Sequence, residues 1–163
     1  GIVLSGHHGP VNHIAKLTPN SDLMPSSNLM VSAGSDSTVR IWDISKGLCI
    51  GRCTDQNLAS VQDDSEHASM NSPESSSISA LSTTVNAESG YNIVTGSESG
   101  HIRVWELGGE RGEARIQSKF QAHTGRVSCL VSERSSADGS MINSYPRLAS
   151  GGSDRTVRLF DPR

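Results

Sequence analysis

The 163-residue chain has little of what usually marks a nucleic-acid-binding or membrane protein. Lys and Arg number 14 against 17 Asp and Glu, which leaves a net charge of −3, so no basic surface for nucleic acid is expected. Apolar residues make up 34% and aromatic residues 4% of the sequence, and no apolar run approaches the ~18 residues of a membrane helix. Membrane insertion is therefore not expected.

Cysteine is scarce as well. Cys49, Cys53 and Cys129 are odd in number, and no second Cys or His pair completes a zinc quartet. We therefore expect reduced, partly buried thiols, no metal site and no cofactor. The lack of a disulfide framework or a membrane segment favours a cytoplasmic or nuclear protein.

The chain does contain an internal repeat with three similar copies: LMVSAGSDSTVRIWD at 29–43, IVTGSESGHIRVWE at 93–106 and LASGGSDRTVRLFD at 148–161. Each copy predicts a strand, a tight Gly/Ser/Asp turn and a second strand with period-2 alternation. Val11–Leu17 predicts a strand upstream of the first copy, and Cys49–Cys53 predicts one downstream. The repeating unit is therefore about four short antiparallel strands.

A histidine precedes the first strand in two copies, as Gly6-His7 and Ala122-His123. A Gly-His element followed by Trp-Asp resembles the WD-repeat family of β-propellers. The resemblance implies an all-β fold of about three four-stranded antiparallel blades in an incomplete ring. The blade-like units are 7–56, 78–119 and 123–163, with 1–5 as the outer strand of a preceding or closing blade and 57–77 as an inserted loop.

Propellers typically have ~4–8 blades, so three would leave the ring open. The remaining blades are expected from the same, longer chain. The alternative is that a second copy closes a six-blade ring.

In the WD-repeat family a His, a Ser or Thr, a turn Asp and a Trp form a buried hydrogen-bonded tetrad. The resemblance assigns this structural role to His7, Ser32, Asp36, Trp42, Thr95, Trp105, His123, Ser150 and Asp154. A Ser-His-Asp hydrolase is the competing interpretation. It is disfavoured because a catalytic set rarely repeats within one domain and no G-x-S-x-G elbow occurs. We expect no catalytic residues and no enzymatic activity.

The copies differ at tetrad positions. Phe160 replaces the Trp of the third copy, while in the second copy Ser99 replaces the turn Asp and Glu74 aligns with His7. The second blade is therefore expected to be the least rigid of the three.

Residues 57–77 are rich in Ser and acidic groups and nearly free of large apolar side chains. Such a segment cannot offset its ordering entropy by burial, so a mobile loop is expected. It is either a tolerated insertion or a regulatory loop phosphorylated at sites such as Ser60 and Ser72, each phosphate adding ~1.5–2 negative charges.

The resemblance implies a non-catalytic scaffold that binds other proteins through the loops before the first strand and between the second and third strands. The matching positions are Pro10, Asn12, Ser35, Ser77, Ser79, Glu98, Arg126, Ser128 and Ser153. A second possibility is a substrate receptor of a cullin-based ubiquitin ligase, bound to its adaptor through the W-D-x-R-like box 148–163, which ends at Arg163. A third is an accessory propeller within a larger multidomain protein.

Overall fold

The computed structural model describes residues 1–17, 28–54, 76–86, 90–108, 113–133 and 147–160. These residues form eleven β-strands in three antiparallel sheets and contain no helix. The prediction of an all-β fold built from repeated antiparallel sheets is confirmed. The inserted loop, apart from Ser76 and Ser77, lies outside the described residues.

The first blade is a meander in the order β1-β2-β3-β4. Its strands are β1 (Val11–Leu17), β2 (Leu29–Gly34), β3 (Val39–Asp43) and β4 (Leu48–Cys53). β3 carries the β-branched and aromatic residues that favour a pleated, buried strand, and four of its five residues are buried.

The second blade repeats this meander with β5 (Ile78–Asn86), β6 (Gly90–Ser97), β7 (His101–Gly108) and β8 (Glu113–Gln121). The third blade comprises β9 (Val127–Glu133), β10 (Arg147–Gly152) and β11 (Val157–Phe160). It has three strands in the part of the chain that the structure describes, so β11 is a sheet edge there. Residues 2–5 form no strand with any other described segment, and their place in an outer strand stays a prediction.

The turn between the second and third strands of each blade places one residue in the left-handed region: Ser37 (φ 62°), Gly100 (φ 86°) and Arg155 (φ 65°). At position 100 the close approach of another segment also requires glycine. A Cβ there would collide with the carbonyl oxygen of His123, because the chain entering the third blade passes directly over this turn.

The apolar core lies between the blades. One cluster, which includes Val31, Ile41 and Trp105, joins the first and second sheets. A second cluster, which includes Val104 and Val127, joins the second and third sheets. The middle blade therefore buries apolar residues against a neighbour on each side.

Candidate functional site

The first blade contains the complete predicted tetrad. His7 Nδ1 lies 2.9 Å from Asp36 Oδ2, and His7 Nε2 lies 2.7 Å from Ser32 Oγ. Trp42 Nε1 donates to the same Ser32 Oγ at 2.7 Å. The residues that the sequence placed together at this site are thus within hydrogen-bond distance.

One histidine tautomer pairs every donor with an acceptor. Because Trp42 donates to Ser32 Oγ, the Ser32 hydroxyl donates to His7 Nε2, and His7 Nδ1–H donates to the Asp36 carboxylate. The Ser32 hydroxyl is buried, and the satisfied polar network around it fixes the strands and loops that carry its members.

The Asp36 carboxylate also forms hydrogen bonds with the turn between β2 and β3 and with the segment that leads into β1. It accepts hydrogen bonds from Thr38 Oγ1 at 2.9 Å and from the backbone N–H of His8 at 2.9 Å. Burial alone would raise the pKa of Asp36. The hydrogen bonds from His7, His8 and Thr38 outweigh it and hold the pKa well below the usual range for an aspartate.

The third blade repeats the site without its indole. His123 Nδ1 lies 2.9 Å from Asp154 Oδ1, and His123 Nε2 lies 2.8 Å from Ser150 Oγ. Burial opposes ionisation of Asp154, but hydrogen bonds from Thr156 and His123 lower its pKa. Phe160 replaces the Trp and packs against Phe120, with the ring centroids 5.0 Å apart.

In the second blade the indole bond remains, with Trp105 Nε1 donating to Thr95 Oγ1 at 3.0 Å. Ser99 Oγ lies 2.9 Å from Ser97 Oγ and 3.1 Å from His101 Nδ1. Glu74, which aligns with His7, lies outside the described residues. A smaller serine network thus links the turn of this blade at the position of the missing turn Asp.

A second sequence difference accompanies the missing tetrad histidine of the second blade, and the tetrad pattern does not include it. Gly34 and Gly152 occupy the strand position beside the imidazole, and a Cβ at either would crowd His7 or His123. Ser97 occupies the same register position in the second blade, and its Oγ accepts from the backbone N–H of His101 at 3.2 Å. Glycine at this position therefore accompanies a tetrad histidine.

The loop before the inner strand of each blade is tied to that blade's turn by the same backbone hydrogen bond. The three bonds are Ser35 N–H to Pro10 O at 2.9 Å, Glu98 N–H to Ser77 O at 3.0 Å, and Ser153 N–H to Arg126 O at 2.8 Å. We call this edge, defined by these six residues, the loop end. Five of the six are exposed and Ser77 is half-buried.

The remaining predicted binding positions lie between blades or at the third blade. Asn12 is exposed, but its Nδ2 donates to Ile78 O at 2.8 Å and to Ser35 Oγ at 3.1 Å. Ser79 is 1% exposed and donates to Val127 O at 2.6 Å. This side chain joins the second and third blades, and its predicted contact with a partner stays a prediction. Ser128 is exposed.

Some positions singled out in the sequence lie outside the described residues. These are Arg163, which ends the W-D-x-R-like box, and the two candidate phosphorylation sites, Ser60 and Ser72. Their roles stay predictions.

All three cysteines are free thiols. Burial, with a smaller contribution from Cys49, raises the pKa of Cys53 to about 12. Cys49 is half-buried, but Cys129 is exposed rather than partly buried as expected.

Within the described segments, no three His, Cys, Asp or Glu side chains are grouped as a metal site. No helix among those residues is long and apolar enough to cross a membrane.

Comparison with protein families gives a match over most of the chain. The family model for the WD40 repeat (WD domain, G-beta repeat) matches residues 2–43, 66–106 and 114–161. The matched segments run through the third strand of each blade, where the repeated Trp or Phe lies.

Among curated proteins, the chain is 27% identical over 154 residues to the ribosome biogenesis protein YTM1 of Coprinopsis cinerea, covering 79% of this chain and 32% of that protein. It is 24% identical to the nuclear distribution protein nudF of Emericella nidulans, covering 98% of this chain and 32% of that protein. The chain therefore spans about a third of the length of these relatives.

Among solved structures, the crystal structure of the RRP9 WD40 repeats superposes with a TM-score of 0.64 at 18% identity. The match covers 98% of this chain and 37% of that one. At this identity the likeness concerns the fold.

Proposed function

The chain belongs to the WD40 repeat family, and from that premise we propose that it is a non-catalytic scaffold that binds other proteins through its loop end. The observation that carries the proposal is the backbone hydrogen bond repeated in all three blades, which holds the exposed loop residues in fixed pairs. A preorganised surface of this kind loses little conformational freedom when a partner binds.

The chemistry of the loop end suits a polar partner segment. Glu98 and Arg126 supply opposite charges on neighbouring blades, and Ser35 and Ser153 supply exposed hydroxyls. Arg is enriched at interface hot spots because its planar head forms several directed hydrogen bonds while its stem packs. Arg126 is the residue on which we expect binding to depend most.

The tetrad supports a non-catalytic reading. Ser32 and Ser150 each have Oγ within 2.8 Å of a histidine Nε2, as a catalytic serine would, but both side chains are buried. The same arrangement recurs in two blades as part of the strand framework. A hydroxyl in this setting has no route to a substrate carbonyl without unfolding the turn.

We place the protein in the nucleus or cytoplasm, with other proteins as partners and no nucleic acid. Names of the relatives, which refer to ribosome biogenesis and nuclear distribution, support this placement. The ligase-receptor alternative depends on Arg163, and equal capture of the ligase adaptor by wild type and Arg163→Ala would refute it. The third alternative, an accessory propeller within a larger protein, predicts no further role for any of these residues.

The scaffold proposal is tested by reversing charge at the loop end. Arg126→Glu and Glu98→Arg should each abolish the capture of proteins that wild type retains from a native extract in a quantitative affinity experiment. Lys46→Glu is the matched control, because Lys46 is exposed in the turn between β3 and β4. Unchanged capture by both loop-end variants, or equal loss with Lys46→Glu, would refute this surface.

A further inference from the structure

The outer half of the first sheet contains two arginines directly opposite each other. Arg40 on β3 pairs with Arg52 on β4, so both side chains lie on the same face of the sheet. Arg40 is 5% exposed and Arg52 is half-buried. Like charges directly opposite on neighbouring strands destabilise a sheet, and burial strengthens their repulsion. The pair therefore costs free energy unless an anion lies between the two guanidinium groups.

Neither arginine has a carboxylate partner among the described residues. The Nε atoms of Arg40 and Arg52 are buried and have no hydrogen-bond acceptor there. Arg40 Nη1 donates to Cys49 Sγ at 3.8 Å, but a thiol is a weak and neutral acceptor. Asp36, the turn carboxylate of this blade, is instead paired with His7. The buried charge of Arg40 is therefore uncompensated, and burying a charge without a partner is costly.

The arginine at the same position of the third blade has a different environment. Arg158 is opposite Ser150 on the neighbouring strand, as Arg40 is opposite Ser32. The Arg158 side chain is 44% exposed, and its Nη2 lies 3.8 Å from Asp154 Oδ2. Water and a carboxylate thus compensate the charge of Arg158. Arg40 has little of the first and, in the part of the chain that the structure describes, none of the second.

The space beside the Arg40 guanidinium limits the size of the missing group. Gly6 lies against it, since a Cβ at this glycine would be 2.7 Å from Arg40 Nη1 and 3.4 Å from Trp42 Cη2. The backbone at Gly6 therefore closes one side of the guanidinium, and the half-buried Arg52 leaves the side from which a ligand can enter. A small ion fits this setting better than a side chain of a partner protein.

We propose that Arg40 and Arg52 form a binding site for a phosphate-type oxyanion. A carboxylate has two oxygens, which a single guanidinium fork satisfies. A tetrahedral oxyanion has further oxygens for the second fork, and its two negative charges match those of the two guanidinium groups. The bound ion accepts hydrogen bonds from the two Nε–H groups and cancels the repulsion between the arginines. No residue of this site belongs to the loop end, so the site does not depend on the scaffold function.

The test is isothermal titration calorimetry with inorganic phosphate at constant ionic strength, on protein purified without phosphate. Wild type should bind one phosphate per chain. Arg52→Gln should bind about tenfold more weakly or worse, because it loses one fork and one charge, and Arg40→Met should not bind. Arg158→Gln, the matched control at the equivalent position of the third blade, should bind as wild type does. In a parallel titration with O-phosphoserine, binding indicates a phosphate ester as the ligand, whereas binding of inorganic phosphate alone indicates the free ion.

Thermal unfolding gives a second measurement, which a purely structural role of Arg40 would not predict. In phosphate-free buffer, Arg40→Met should have a Tm equal to or above that of wild type, because the change removes an unpaired buried charge and keeps the apolar stem. Phosphate should raise the Tm of wild type and Arg158→Gln but not that of Arg40→Met. No phosphate binding by wild type, or equal binding by Arg40→Met, would overturn the proposal. A Tm of Arg40→Met well below that of wild type without phosphate would also overturn it, since another group of the protein would then already neutralise Arg40.

Discussion

Replacing the tetrad serine should cost more stability in the first blade than in the third. In Ser32→Ala, the buried Trp42 indole N–H loses its acceptor and His7 Nε2 loses its donor. In Ser150→Ala, only His123 Nε2 loses a partner, because Phe160 has no N–H. The two sites are otherwise matched, since both serines are buried and both histidines retain their aspartates.

The magnitude follows from the number of buried groups left unpaired. Each costs about 1–3 kcal/mol, so Ser32→Ala should lose roughly 2–6 kcal/mol and Ser150→Ala roughly 1–3 kcal/mol. The difference of about 2 kcal/mol corresponds to a gap of about 4–8 °C in Tm for a domain of this size. Thermal unfolding followed by circular dichroism at equal protein concentration measures it.

A double-mutant cycle isolates the indole contribution. In a Trp42→Phe background, Ser32→Ala removes only the histidine partner, so its cost should fall to that of Ser150→Ala. If Ser32→Ala costs the same with and without the indole, the N–H to Oγ bond does not carry the energy assigned to it. The reasoning would then be refuted.

Four further results are expected. Because the pKa of Asp36 is lowered in the folded state, the unfolded state binds a proton first as the pH falls. The free energy of unfolding, measured by urea titration, should therefore be constant above about pH 5 and fall progressively below the ordinary aspartate pKa. It should fall less steeply in Asp36→Asn. Gly100→Ala should lower Tm by several degrees, whereas Gly1→Ala, where a Cβ meets nothing, should not change it. Iodoacetamide at pH 8 should label Cys129 and leave Cys53 unmodified in mass spectra, because the pKa of the buried thiol is raised to about 12. Amide exchange should be fastest in the second blade's turn, which has no histidine–aspartate pair, and greater protection there than in the other two turns would contradict the predicted lower rigidity of that blade.

The repeat made the blades and their tetrads predictable from sequence. Strand periodicity located β2, β3, β6 and β7, and the recurring residues placed His7, Asp36 and Trp42 within contact of one another. A residue that recurs in register at several sites has its environment set by the architecture, so one correct assignment carries over to the other copies.

Contacts between blades could not be predicted in the same way. Asn12 and Ser79 stand at one register position and both donate to the first strand residue of the next blade, yet Asn12 is exposed and Ser79 is buried. A single sequence gives the face on which a strand residue lies but not how closely the next sheet covers it.

The segment that connects the second blade to the third is fixed by hydrogen bonds to both blades. The backbone N–H groups of Ala122 and His123 both donate to Gly100 O, which belongs to the blade being left. The imidazole of His123 bonds to Asp154 and Ser150, which belong to the blade being entered. The connection is therefore rigid and does not act as a hinge, so Glu98 and Arg126 keep their spacing. A ligand that spans both residues binds to two contacts whose relative position is already fixed.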